Sequence, residues 1–175
     1  FDAYATIRGM RQTWGKKLAV ILAIAITVAP LFVSTANAAQ LSPRNLTLLQ
    51  GIDGGDSDTL PDGGSQPGGN ANHQFNFTIP TGGNVGSVRF EYCTTTEGTC
   101  TTPTGLTTTA ATAGAQTGAS GFTINNTTNG APYLTRTAAN VPATTAVSLQ
   151  LNGVINPTTV GTFFVRIQTF SDAAL

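Results

Sequence analysis

In this 175-residue chain the candidate reactive groups are two cysteines, one histidine and a cluster of aspartates. Cys93 and Cys100 are the only cysteines, and they enclose a short polar segment, TTTEGT. In an oxidising compartment they read as a disulfide closing a small loop. The alternative is a metal site with His73, the only histidine, as third ligand. Two thiolates with six residues between them and one distant imidazole match no common zinc spacing. Asp53, Asp56, Asp58 and Asp62 lie in a Gly-rich stretch and could offer hard oxygen ligands to Ca²⁺. Their spacing lacks the closing Glu of an EF-hand, so a solvated acidic linker is the stronger reading.

Catalytic groupings are sparse. No Asp or Glu is near His73 in sequence, and there is no G-x-S-x-G elbow for a nucleophilic serine. Glu91 and Glu97 are not spaced as an evident glycosidase pair. No enzyme activity and no cofactor are therefore expected. Asn45, Asn76, Asn125 and Asn126 each begin an N-x-Thr sequon, which a Thr-rich chain produces by chance.

The segments that carry these side chains alternate in hydrophobicity. Phe75, Phe77 and Ile79 alternate with Gln74, Asn76 and Thr78. Val88, Phe90 and Tyr92 alternate with Arg89 and Glu91, and Cys93 continues the outward parity. Period two places one set on a core face and the other toward solvent. Pro80-Thr81-Gly82-Gly83 separates the two runs, and a hairpin is the simplest link. Val147, Leu149 and Leu151 form another face, as do Phe163, Val165 and Ile167 within a strand over 162–170. Shorter strands are expected at 46–50, around Phe122 and Ile124, and at 133–137, while the stretch 94–112 is Thr-rich and punctuated by Gly98, Pro103 and Gly105. Turn signals recur every eight to fifteen residues, with no sign of crossover helices. The expected fold is an all-β antiparallel sandwich, Ig-like or jelly-roll-like, over 73–175. Residues 39–72 supply an N-terminal strand and a Gly/Asp-rich linker.

Ahead of this domain lies a segment with the features of a helical signal peptide, over 10–38. Arg11, Lys16 and Lys17 precede an apolar run from Leu18 to Val33, and Ala36-x-Ala38 fits the cleavage rule. The run has 16 residues, short for a bilayer core of ~30 Å, although an uncleaved anchor is the alternative. Residues 1–9, before the only Met, read as upstream sequence. After cleavage at Ala38, four arginines face seven acids, for a net charge of −3 and no lysine. Such a balance disfavours nucleic acid as a partner. The lack of lysine also excludes Lys–Asn isopeptide cross-links.

The stretches RFEYCTTTEGTCTTPTGL (Arg89 to Leu106) and INPTTVGTFFVRIQTF (Ile155 to Phe170) resemble secreted cell-surface β-sandwich proteins of candidate-phylum bacteria. The resemblance implies fold and an extracellular or cell-surface location, and carries over no functional residue. The expectation is a structural or adhesion module that meets other surface proteins or glycans and touches the membrane only through its export signal. A carbohydrate-binding module or small secreted hydrolase is the alternative, with Tyr133 as the available aromatic platform. The sequence stops at Ser171 to Leu175, just after a strand, which leaves open a larger parent protein.

Overall fold

The computed structural model describes residues 40–50 and 64–173. The expected signal peptide over 10–38 and the calcium candidates Asp53, Asp56, Asp58 and Asp62 lie outside the described residues. Eight strands are present among the described residues, all in the unit Ala39–Leu175: β1 (Arg44–Gln50), β2 (Asn70–Ile79), β3 (Gly83–Cys93), β4 (Thr112–Thr117), β5 (Thr123–Asn125), β6 (Tyr133–Val141), β7 (Thr145–Ile155) and β8 (Phe164–Phe170). They form two four-stranded antiparallel sheets, ordered β1-β2-β7-β4 and β5-β6-β3-β8. The fold is a β-sandwich.

The expected hairpin between the first two strong strands is not formed. β2 and β3 belong to different sheets and face each other across the core. Phe75 stacks on Phe90 with ring centroids 4.2 Å apart. A hairpin would put both apolar faces on the same side of one sheet and leave them to find a cover elsewhere. Crossing between sheets lets each face cover the other, while β7 and β6 supply the hydrogen-bonding partners. The register shows how. β2 runs beside β7 from Asn70↔Ile155 to Ile79↔Thr145, and β3 beside β6 from Gly83↔Val141 to Arg89↔Tyr133. One long two-stranded ribbon is thus folded over at 80–82 and 142–144. The two bends touch. Thr144 N–H donates to Ile79 O at 2.7 Å, and Thr144 takes φ +61°. A side chain at Gly82 would bring its Cβ to 2.9 Å from the Ala143 nitrogen, so the crossing admits only glycine there without displacement.

The inward residues of β2, β3 and β7 are buried as the alternation predicts: Phe75, Phe77, Ile79, Val88, Phe90, Tyr92, Val147, Leu149 and Leu151. Phe163 is a correction: it precedes β8 and is only half-buried, and Val165 and Ile167 pack on the core while half-exposed. The reason is that β8 is an edge strand and nothing among the described residues lies over its flank. The Thr-rich stretch contributes to the core too, through Leu106, Thr108 and Ala111, each at most 2 % exposed.

Candidate functional site

The outer face of β3 carries the disulfide. Cys93 and Cys100 are bonded, with Cα atoms 4.9 Å apart. Cys93 has the outward parity that alternation gives it, yet it is fully buried rather than solvent-facing. The bridge itself covers it, because residues 94–99 fold back over the strand and Thr94 N–H donates to Thr101 O at 3.0 Å. Arg166 of β8 anchors this loop, donating to Gly98 O at 2.9 Å and lying 3.5 Å from Glu91. Glu91 also pairs with Arg89 at 3.0 Å. Glu91 lies beside both sulfurs, with ligand atoms within 4.8 Å, but the sulfurs are bonded to each other. The metal reading with His73 fails on geometry as well, since His73 points to the opposite face. Glu97 sits exposed in the disulfide loop, apart from Glu91's ion pairs.

On the inner face, three polar groups meet at one end of the core. The Asn156 side chain donates from Nδ2 to Gly64 O (2.8 Å) and Gln66 O (3.0 Å). That fixes its Oδ1 toward His73 Nε2, 3.1 Å away. Nε2 must then carry the imidazole proton, and Nδ1 accepts from the Tyr92 hydroxyl at 2.9 Å. His73 and Asn156 are 3 % and 4 % exposed. Burial pulls His73 down to about 4, against the raising effect of the Asn156 bond, and pushes Tyr92 well above the usual phenol range. The histidine is therefore neutral at physiological pH, with both nitrogens engaged. It pins β2, β3 and the end of β7 to the segment 64–66. Asn156, read in sequence only as the start of an Asn-Pro turn, was not recognisable as its partner, which is 83 positions away.

Beside this triad the sandwich is open. A cleft of about 350 Å³ has His73, Tyr92 and Asn156 in its wall, with Leu46, Leu48 and Phe163 among its apolar residues. A second cleft of about 230 Å³ adjoins it, sharing Leu46, Phe163 and Val165. Both lie between the edge strands β1 and β8. Leu46 is opposite Phe75 and Leu48 opposite His73, so the two leucines have core-facing register. They are nevertheless 39 % and 37 % exposed.

The other sequence candidates are engaged locally. The Tyr133 hydroxyl accepts from Asn125 Nδ2 at 2.7 Å. Asn126 Nδ2 donates to Thr109 O and Ala111 O. Compared with protein-family models, curated proteins and solved structures, the chain matches none.

Proposed function

We propose that the chain is a non-catalytic structural or adhesion module of a bacterial cell surface, working through the apolar flank between β1 and β8. The observation that carries this reading is the exposure of core-register leucines beside two adjoining clefts. Contiguous exposed apolar surface of this kind marks an interaction site. Its rim has free strand edges among the described residues, which recognise extended backbone by strand addition.

Export is supported by the leading segment's sequence and by a disulfide, a bond that persists in oxidising compartments. The non-catalytic reading is supported by His73, whose ring nitrogens are both committed to hydrogen bonds. Fractionation tests the proposal. The domain is expected outside the cytoplasmic membrane with no titratable thiol. Recovery in the cytoplasm with two free thiols would overturn it.

A further inference from the structure

We infer that the edge of β1, free among the described residues, pairs with β1 of a second copy, antiparallel about a two-fold axis through Thr47. The inference rests on reading the β1/β8 flank as the contact surface, and it names the partner.

Pro43 O accepts from Thr78 N–H at 3.3 Å, so Pro43 turns its carbonyl toward β2. In an antiparallel strand that sense alternates residue by residue. Asn45 and Thr47 therefore face β2, and Leu46 and Leu48 present their N–H and C=O to the open edge. Thr47 is the middle residue of β1. A two-fold axis through it sets Leu46 opposite Leu48 of the second copy, and Leu48 opposite Leu46. Both are then hydrogen-bonded pairs, made by the groups that β2 leaves unused.

Side chains fit the same register. The paired leucines lie on the core-facing side, next to the clefts, and cover each other. Thr47 meets Thr47, Asn45 meets Leu49, and Arg44, the only charge in the strand, meets Gln50. No like charges oppose. Such a self-complementary surface is what a closed C₂ dimer requires. β1 also lacks the devices that protect edges: it has no lysine, no proline and no bulge against β2. Leu46, Leu48 and Leu49 are three of the four large apolar side chains exposed among the described residues, and β8 has none.

The test is sedimentation of the full chain in whatever form accumulates, with or without residues 1–38, over a range of concentrations. Twice the chain mass is expected, falling to one on dilution. Leu48→Pro removes an N–H that points away from β2, which an edge tolerates. It is expected to weaken the dimer by at least about tenfold while circular dichroism stays unchanged. Register is read by cysteine cross-linking. Thr47 pairs at the axis have Cα atoms roughly 4.5 Å apart, within disulfide range. Thr47→Cys is expected to form a covalent dimer, and Asn45→Cys is not. A wild type that stays monomeric at every concentration overturns the self-pairing, leaving the surface-module reading to fractionation. Equal cross-linking of both cysteine variants overturns the register and with it the inference.

Discussion

The two flanks of the sandwich are built from strands at equivalent edges, yet one is closed and the other open. At the closed flank β4 and β5 are short and do not pair with each other. Gln116 bridges the gap with its side chain, donating to Phe122 O at 2.8 Å and accepting from Phe122 N–H at 2.9 Å. An amide side chain thus does what a neighbouring strand would do. It holds Phe122 in the core at 4 % exposure, beneath the Arg136 guanidinium at 4.5 Å from the ring centroid. Asn129 clasps the adjoining loop by donating to Leu106 O and accepting from Thr108 N–H. The β1/β8 flank has seven-residue strands on both sides and no such clasp among the described residues. Edges can be closed by polar side chains that satisfy loop backbone, or left for another chain to satisfy.

If that contrast is right, truncation should cost much more on the closed flank. Phe122→Ala is expected to lose about 3–5 kcal/mol, as for a buried Phe elsewhere, measured by urea unfolding. Leu46→Ala, with over a third of the leucine already exposed, should cost the dissociated protein about 1 kcal/mol or less. Equal losses would erase the distinction between the flanks.

The triad at the open flank makes stability depend on pH. His73 titrates near 4 when folded and near 6.5 when unfolded. Between these values the unfolded chain binds more protons. The full stability is present above pH 6.5, and roughly 3 kcal/mol is lost as pH falls from there to 4. Unfolding midpoints taken across this window, with the His73 ring resonances followed by NMR, check both the sign and the range. A flat profile would show that the imidazole is not held neutral.

A smaller effect is expected on the outer face of β3. Replacing Cys93 and Cys100 together by Ser should cost about 2 kcal/mol and leave the fold intact, because the bridge closes a short loop on the outer face. A loss of cooperative unfolding would mean that the loop, and not the core, organises β3.

Much of the sandwich was legible because alternation is local. Phe75 through Ile79, Val88 through Tyr92 and Val147 through Leu151 name their own buried face. The disulfide was legible from two cysteines at short range. What could not be read was which strand lies beside which. Pro80-Thr81-Gly82 marks a bend but not its direction, and the crossing depends on pairing β2 with β7, far along the chain. Cys93 shows a related limit: parity gives the face, but coverage depends on where a loop returns. The candidate flank was half visible. LTLL shows a strand with apolar residues on both faces, yet only the position of β1 at an edge leaves Leu46 and Leu48 uncovered. Phe163 fails the alternation for the same reason, since β8 begins one residue later at an edge.

Amide hydrogen exchange as a function of protein concentration tests the account most directly. The Leu46 and Leu48 N–H groups face away from β2, and those of Asn45 and Thr47 face it. In dilute protein the two leucine amides should exchange rapidly while Asn45 and Thr47 are protected. Raising the concentration should slow Leu46 and Leu48 and leave Phe122, held by Gln116 at the closed flank, unchanged. Leucine amides already protected at the lowest concentration, or indifferent to concentration throughout, would contradict the account.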